Sequence, residues 1–348
     1  MKRRHLLGGL LGGAAAAAAC PVLAVADTAA PPVNLLVAGP DGAQTSRWGN
    51  ACALAISPCL PGGPSIMTQT IGGLDGVSGA NQLDALVVPD GKTAAILPGA
   101  ALIAFLTGDS RVHFDPTHWV PLLAGVNSGV LMLRRGPTPP SVAALRTAPP
   151  LRLAADQPQS RDLAAILGLA RLGIATAPVF GLRDTDTKTR AFIAGEVDAV
   201  FICGEGVPED IAPLTAAGAV PFFNIGALQP NGSVGPDPFL PGLADAWSLG
   251  PAATPALDAA YQAAAAAAML DFLLVLPKLT DPGAAACWAK AAAQAATSPA
   301  LAAAASASSI TLQPAPALAG ALAALAISPA AQNSMLTYLA KNCGWQPS

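Results

Sequence analysis

Residues 33–46 read VNLLVAGPDGAQTS, a short apolar run followed by a turn and a polar segment. The run at 33–38 has the length and the Val and Leu content of a buried strand. The turn residues Pro40, Asp41 and Gly42 follow it, and the stretch 45–55 then has helical character. This strand, turn and helix are the first unit of a pattern that continues along the chain.

Further apolar runs of strand length alternate with helical segments. Strands are predicted at 65–71, 93–97, 120–123, 129–133, 151–155 and 197–203, and helices at 80–87, 141–145, 161–172 and 187–194. Buried strands between helices are typical of a parallel sheet that is covered on both faces. The sequence therefore predicts an α/β fold.

The C-terminal third is rich in alanine. The stretch 257–276 holds six consecutive alanines at 263–268, is interrupted by Asp258 and Asp271, and ends at Pro277. We interpret it as one buried amphipathic helix rather than a membrane span, because a span needs about 20 uninterrupted apolar residues. Further helices are predicted at 284–297 and 315–325, since alanine has the highest helix propensity.

Length and composition limit the function classes. A chain of 348 residues is expected to form two domains. With 18 Lys and Arg against 21 Asp and Glu, it lacks the positive surplus of a nucleic-acid binder. Three His leave little for a metal site or a Ser-His-Asp triad, and the phosphate loop and dinucleotide motif are missing. We expect no cofactor, no metal and no enzymatic activity.

The first 26 residues have the organisation of an export signal. Lys2, Arg3 and Arg4 precede an apolar stretch at 6–19, and 24–26 reads Ala-Val-Ala, which fits a signal peptidase site. The arginine pair favours a twin-arginine signal, although Sec signals also contain such pairs. The alternative is a lipoprotein with Cys20 as the lipidated residue.

Five cysteines follow the predicted cleavage site. Export permits disulfides, and we expect at least one, with Cys52 and Cys59 as the favoured pair because Pro58 is expected to end the helix between them. Cys287 and Cys343 form a second possible pair. Cys203 ends the apolar run VDAVFIC and is interpreted as a buried thiol.

Six short motifs occur in order along the chain. They are LVAGPDGAQTS at 36–46, GGLDGVSG at 72–79, PDGKT at 89–93, FDP at 114–116, AGEVD at 194–198 and LPG at 240–242. In this order they resemble the Pro-Gly-Gly-Gly-Thr-Asp loop, the second Gly-rich loop, and the Pro-Asp-Gly, Tyr-Asp-Pro, Gly-Gly-Gln-Val-Asp and Leu-Pro-Gly elements of one protein family. That family is the periplasmic solute-binding proteins of tripartite tricarboxylate transporters, the Bug family.

The resemblance implies a periplasmic-binding-protein-like fold with two α/β lobes, a ligand cleft and two hinge crossings, the Venus flytrap arrangement. The first lobe is expected to contain residues 27–128 and 245–348, and the second lobe residues 129–244. The ligand would lie between the lobes, where the carboxyl ends of the strands of open α/β sheets meet.

Candidate ligand contacts lie in loops between strands and helices, because helix N-termini bind anions. Arg183 adds a guanidinium that could form a bidentate pair with a carboxylate. The predicted ligand-binding residues are Asp41, Gly42, Ala43, Gln44, Thr45, Ser46, Gln159, Ser160, Arg161, Arg183 and Asp184.

Several of these residues also have a purely structural interpretation. Asp41 would repel an acid, so it would instead accept an amine or hydroxyl group, or cap a helix. Thr45 or Ser46 would serve as a helix cap, and Arg161 would be a solvated side chain beside a cap. Arg183 would form an ion pair with Asp184 or Asp186 on the protein surface.

The resemblance implies binding of a small organic solute, such as a carboxylate, for delivery to a tripartite tricarboxylate-type membrane transporter or a sensor. We expect a monomer. The family's Gly-rich first loop has lost two glycines here, and its terminal Asp is Ser46. The alternative function is therefore a relative that no longer binds and serves as a structural or signalling partner. An exported hydrolase is a third hypothesis.

The export signal makes a direct prediction. The mature protein should be periplasmic and begin at Asp27, because signal peptidase cleaves after the Ala-Val-Ala sequence at 24–26. N-terminal sequencing of exported protein checks this. A different first residue, or a lipid mass on Cys20, would contradict it.

Overall fold

The computed structural model describes residues 31–136, 140–229, 231 and 233–345. The predicted export signal lies outside these residues. The strands, in chain order, are β1 (Val33–Ala38), β2 (Ile66–Ile71), β3 (Thr93–Leu97), β4 (Val120–Val126), β5 (Ser128–Arg134), β6 (Leu151–Ala154), β7 (Thr176–Val179), β8 (Ala199–Gly204), β9 (Ala219–Asn224), β10 (Ala227–Leu228), β11 (Val234–Gly235), β12 (Leu270–Leu276) and β13 (Thr311–Pro314).

The α-helices of the described residues follow the same order. They are α1 (Gln44–Ile56), α2 (Val77–Leu86), α3 (Gly99–Thr107), α4 (Val142–Thr147), α5 (Leu163–Arg171), α6 (Thr185–Ile193), α7 (Val207–Ala216), α8 (Pro255–Ala268), α9 (Pro282–Ala296), α10 (Pro299–Ala307), α11 (Ala315–Leu325) and α12 (Pro329–Cys343). The strands and helices predicted up to residue 204 are all present, with ends shifted by a few residues.

Two separate sheets organise these elements. The first has the strand order β13-β4-β12-β3-β1-β2, and the second has the order β7-β6-β8-β5-β9. The chain passes from the first sheet to the second at Asn127, between β4 and β5, and returns to the first at β12. The fold is α/β with two lobes, as predicted, and we call them the first and second lobe after their sheets.

The prediction of parallel sheets is wrong in part, because both sheets are mixed. β1 pairs parallel with β2 and β3, and β6 pairs parallel with β7 and β8. β12 runs antiparallel to β3 and β4, and β5 runs antiparallel to β8 and β9. Strand direction depends on how the chain returns to each sheet, which an apolar run alone does not show.

The predicted single helix at 257–276 is also wrong. The alanine-rich half is α8, but the chain then turns into β12, whose seven residues are all buried in the middle of the first sheet. The sequence Leu-Asp-Phe-Leu-Leu-Val-Leu contains one aromatic and one β-branched residue, so its intrinsic preference for a strand is weak and its buried place in the sheet decides its conformation. A strand that lies inside a sheet covered by helices on both faces is buried on both sides, so its sequence does not alternate between polar and apolar residues.

The alanine side chains of α8 serve close packing. From Ala263 to Ala268 they are buried. The helix contacts α5 of the second lobe and α3, α11 and α12 around the first. Because an alanine side chain takes up little space, the helix axis can approach its neighbours closely on several sides, which joins the two lobes through one helix.

The expected disulfide between Cys52 and Cys59 is not formed. All five cysteines of the described residues are free thiols. Cys52 lies on the buried face of α1, and the chain continues from α1 directly into a short 3-10 helix at Ser57–Cys59. Pro58 sits in the first turn of this 3-10 helix, so no hairpin brings the two thiols together. The Cys59 thiol instead donates to the carbonyl of Ala55 at 3.5 Å.

Within the described residues, no single helix has the length and apolar character to cross a membrane. The pair α11 and α12 meets that criterion only when joined, and the two helices are bent by 69°.

Gly99 provides a test of the close packing around the end of α8. It is the first residue of α3, and a Cβ there would overlap the carbonyl oxygens of Ala267 and Leu270, where α8 passes into β12. We expect Gly99→Ala to lower the free energy of unfolding by about 3 kcal/mol, because these backbone atoms cannot rotate away. The measurement is urea unfolding.

Gly72→Ala is the matched control. Its Cβ would meet no atom within 4 Å, so the change should stay within about 0.5 kcal/mol. Equal unfolding midpoints for the two variants would show that the junction of α8 and β12 is not tightly packed.

Candidate functional site

A cavity of about 630 Å³ lies between the two lobes. The first lobe contributes the loop before α2, the start of α3 and the residue Arg111. The second lobe contributes the loop before α5, the first turn of α6 and the end of β8. The lining residues are Gly73, Leu74, Asp75, Ser78, Ala100, Arg111, Asp156, Gln157, Gln159, Ser160, Arg161, Asp162, Arg183, Asp184, Thr185, Lys188, Phe201 and Cys203.

Four helices, α2, α3, α5 and α6, begin at this cavity. Gly76 precedes α2 with φ of 76°, which glycine tolerates, and a Cβ at Gly79 would overlap Ala38. This close approach sets the start of α2 against the end of β1. The N-terminal turn of a helix carries amides without intrahelical partners and a positive dipole end. The cavity wall therefore contains several helix N-termini, of which α2 and α6 each already have one amide bound to a carboxylate, that of Asp75 and that of Asp184.

Two arginines of the second lobe have loose partners. The Arg161 Nη1 lies 3.4 Å from Asp271 Oδ1, and the Arg183 Nε lies 3.7 Å from Asp156 Oδ1. The Arg183 side chain is 76 % exposed, whereas that of Arg161 is 22 % exposed. At these distances the guanidinium groups keep donors that an incoming anion can use.

Lys188 has a much tighter partner. Its Nζ lies 2.5 Å from Asp162 Oδ1 and also donates to the carbonyl of Phe201 at 3.3 Å. Asp162 in turn accepts hydrogen bonds from the Asp156 amide at 2.9 Å and from the Ser160 hydroxyl at 3.0 Å. Both members of this ion pair are buried. The pair fixes the loop before α5 against α6, so it shapes the cavity wall.

Arg111 is the cationic side chain that the described part of the first lobe contributes to the cavity wall. Its guanidinium contacts Asp75 at 2.8 Å and Asp109 at 2.6 Å. The Asp75 carboxylate also accepts from the Val77 amide at the start of α2. Arg111 therefore holds the loop before α2 in place and also lines the cavity.

Beneath the cavity, Asp271 connects both lobes. Its carboxylate oxygens accept from Gln44 Nε2 at 2.8 and 2.7 Å, and Asn127 and Arg161 add longer contacts at 3.5 and 3.4 Å. The Asp271 side chain is fully buried. Burial raises the pKa of this carboxyl, and the nearby Arg161 charge acts in the opposite direction.

A side chain near the cavity could take part in catalysis as a nucleophile, a metal ligand or a general base. Burial raises the pKa of the Cys203 thiol to about 12, so it is protonated at neutral pH and is a poor nucleophile. Its thiol donates to Asn127 Oδ1 at 3.3 Å. No group of three or more His, Cys, Asp and Glu side chains suited to a metal ion occurs among the described residues. His113 and His118 are not part of the cavity wall.

The predicted second-lobe residues line the cavity. Gln159, Ser160, Arg161, Arg183 and Asp184 all belong to its wall. The interpretation of Arg183 as a partner of Asp184 or Asp186 is wrong, because Arg183 pairs with Asp156. Asp184 instead caps α6, accepting from the Thr187 amide at 2.7 Å.

The predicted first-lobe residues Asp41, Gly42, Ala43, Gln44, Thr45 and Ser46 are not among the lining residues. Capping by Thr45 or Ser46 is wrong, because both lie inside α1 and are buried, and the N-cap is Ala43 without a side-chain cap. Asp41 accepts from the Gly42 amide at 3.0 Å. Gln44 connects this loop to the cavity indirectly, through Asp271 and Arg161.

Sequence reasoning missed the first-lobe wall and Lys188. The Gly-rich segment at 72–79 was visible as a motif, and its glycines before a small-residue helix were the available signal. Arg111 and Lys188 carry no local signal, because a single cation in a loop or on a helix is usually solvated. Only the approach of separate segments shows that they face one space.

The lobes also meet at Glu205, the residue after β8. Its carboxylate accepts from the Trp48 indole nitrogen at 2.6 Å and from Arg47 Nη2 at 2.9 Å, both on α1. The next amide, that of Gly206, donates to the Ser308 carbonyl at 3.0 Å. These contacts hold the second lobe against the first in the observed arrangement.

Solved structures share the fold of this chain, although comparison of the sequence with family models and curated proteins finds no match. A TctC solute-binding protein from Polaromonas superposes with a TM-score of 0.66 at 15 % identity, covering 89 % of this chain and 98 % of that one. The chain thus has the fold that the motif resemblance predicted.

Two further structures share the fold. The periplasmic binding protein BugD gives a TM-score of 0.54 at 15 % identity, covering 91 % of this chain and 99 % of its own. An R. palustris protein with adipate gives 0.54 at 18 % identity, with the same coverage of 91 % and 99 %.

The buried acid beneath the cavity gives a prediction with a defined sign. Because the pKa of Asp271 is raised on folding, its contribution to stability is present below the unfolded pKa of about 3.9 and is lost as pH rises through the folded pKa. Asp271→Asn removes this titration. The stability of the variant relative to the wild type should therefore increase as pH rises from about 4.

Urea unfolding at a series of pH values measures this effect. Asp184→Asn is a control of opposite sign, because the Thr187 amide lowers the pKa of Asp184. The free energy of unfolding of the wild type relative to this variant should therefore increase as pH rises through the acidic range. Parallel pH profiles of wild type and Asp271→Asn would contradict the prediction.

Proposed function

We propose that this protein captures a small organic acid in the cavity between its two lobes. The observation that carries the proposal is the convergence of four helix N-termini and two loosely paired arginines, Arg161 and Arg183, on one inter-lobe space of about 630 Å³. Such a cavity lies in the size range of small-molecule sites. Aligned amides and guanidinium groups are the donors that a carboxylate accepts.

The proposed ligand contacts come mainly from the second lobe. Arg161 and Arg183 would donate to the carboxylate, while Gln159, Ser160 and the first turn of α6 after Asp184 would supply further polar groups. The loop at 41–46 would contribute through Gln44, whose amide supports Asp271 below Arg161. The Lys188 and Asp162 pair would stay intact as a fixed part of the wall.

Capture requires that the lobes move relative to each other. We propose lobes of residues 27–128 with 245–348 and of 129–244, hinged where the chain crosses between the sheets. The contacts of Glu205 with Trp48 and Arg47 would break on opening, and Asn127, at the first crossing, is held by Cys203 and Asp271. A ligand that bridges the lobes would favour the closed arrangement.

The proposed setting is the periplasm, with delivery of the solute to a tripartite tricarboxylate-type transporter or a sensor. The predicted export signal supports this setting, as does the fold shared with proteins described as TctC and periplasmic binding proteins. A binding rather than enzymatic role fits the protonated Cys203 thiol and the position of both His113 and His118 away from the cavity wall.

A second candidate function is that of a partner protein whose cavity no longer binds. The supporting observation is that each cation of the cavity already has an acidic partner in this chain. Arg111 contacts Asp75, Arg161 contacts Asp271, Arg183 contacts Asp156 and Lys188 contacts Asp162. A ligand carboxylate must then compete with an internal one, which lowers its affinity.

Adipate, the molecule present in one structure of the same fold, is the first probe. At one hundred times its dissociation constant it should stabilise the folded state by about 2.7 kcal/mol. This corresponds to a rise of roughly 5–10 °C in the melting midpoint, at about 2–4 °C per kcal/mol. A panel of mono-, di- and tricarboxylates measured by thermal shift and calorimetry extends the test.

Variants locate the site. Arg161→Ala should weaken binding about tenfold or more, because its partly buried guanidinium makes a charge-assisted contact. Arg183→Ala should weaken it about threefold, since solvent screens an exposed charge. Arg135→Ala, which removes an exposed cation outside the cavity, is the control and should bind like the wild type.

The two candidate functions give different results. An unmoved melting midpoint across the whole panel would favour the partner protein. Binding that survives both Arg161→Ala and Arg183→Ala would show that the ligand lies outside the cavity described here.

A further inference from the structure

A second cavity, of about 370 Å³, shares no lining residue with the inter-lobe cavity. The hairpin β10–β11 forms one wall, the segment with Asp245 and Trp247 forms another, and the facing sides of α8 and α11 close it. It therefore lies where the chain leaves the second lobe on its way back to the first. Its chemistry differs from that of the inter-lobe cavity.

The wall of this cavity has an apolar part and a polar part, and Gln262 of α8 and Asp245 are the polar side chains among its described lining residues. Leu228 and Met269 are buried side chains on its wall, while Ala266, Gly320 and Ala321 are the small residues that leave the space between α8 and α11 open. A space of this size with an aliphatic part accommodates the compact apolar body of a small molecule.

Among the described residues, Asp245 is the one charged side chain on the wall. Its Oδ1 accepts from the Ser248 amide at 2.8 Å, and no Lys or Arg in the described part of the chain forms an ion pair with it. The neighbouring Arg171 is engaged elsewhere, with Asp258 at 2.5 Å and with the carbonyl oxygens of Ala246 and Gly250. The cavity wall thus contains a carboxyl group that has no ion-pair partner among the described residues.

Trp247 places an indole on the same wall. Its ring packs against Tyr261 with centroids 4.8 Å apart, which fixes its orientation. The face of an indole attracts cations, and the attraction grows when the cation is partly removed from water. A carboxylate and an indole beside an apolar space form a matched set for a positively charged head on an apolar body.

We propose that this cavity binds an organic ammonium ion with a compact apolar body. The ammonium group donates to Asp245 and lies against Trp247, and the body fills the space toward Met269 and α11. This site is independent of the proposed acid-binding site, because the two share no residue and prefer ligands of opposite charge.

Phenethylamine is the probe, measured by isothermal titration calorimetry and by the indole N–H resonance of Trp247 in ¹⁵N-labelled protein. We expect saturable binding with a dissociation constant of about 1 mM or tighter, given a ligand of this size. The neutral analogue 2-phenylethanol should bind at least tenfold more weakly, because it cannot pair with Asp245.

Two variants, each with a matched control, locate the site. Asp245→Asn should weaken phenethylamine binding about tenfold, whereas Glu196→Gln, the same charge change at an exposed position, should have no effect. Ala324→Leu should block the cavity from α11, whereas Ala323→Leu, on the exposed side of the same helix, should not. The second pair keeps the test decisive if Asp245→Asn fails to fold.

Three results would overturn the proposal. The first is no saturable binding of phenethylamine up to about 10 mM. The second is equal binding of 2-phenylethanol, and the third is unchanged binding to Ala324→Leu. Adipate binding is measured in parallel, so loss of the amine site and loss of the acid site are separate outcomes.

Discussion

The carboxylate of Asp271 is the group on which the meeting of the two lobes depends. Asp271 is the second residue of β12, which follows the alanine-rich α8, and its side chain is fully buried. A buried carboxylate needs donors, and these come from Gln44 in α1, Asn127 at the chain crossing and Arg161 in the second lobe. One unfavourable burial thus fixes three segments around the base of the inter-lobe cavity.

The two cavities differ in the charged side chains that line them. The inter-lobe cavity combines helix N-termini with cations whose internal partners differ in tightness, from 2.5 Å at Lys188 to 3.7 Å at Arg183. The tight pair gives shape and the loose pairs leave donors for a ligand. The second cavity has the opposite charge, because Asp245 is the charged side chain among its described lining residues.

Much of the first 200 residues is predictable because most elements there have a local signal, but α3 and β7 were not predicted. Val33–Ala38 is a mostly apolar run, and Pro-Asp-Gly turns lie between β1 and α1 and between α2 and β3. The prediction was wrong for 257–276, where apolar residues in succession suit a helix and a central strand equally. The site was predicted in its second-lobe half, at Gln159 to Arg161 and Arg183 to Asp184, because those loops follow strands and precede helices.

The sequence by itself determined the alternation of strands and helices, the two-lobed class through its motif order, and the lack of a cationic surplus, since these follow from local pattern and composition. Only the tertiary structure decided strand direction, the free state of Cys52 and Cys59, and the partners of Arg161 and Arg183. It also replaced the loop at 41–46 by the Gly-rich loop before α2 as the first-lobe wall. The reason is that these features depend on contacts between segments as far apart as Gln44 and Asp271, and no local pattern encodes such contacts.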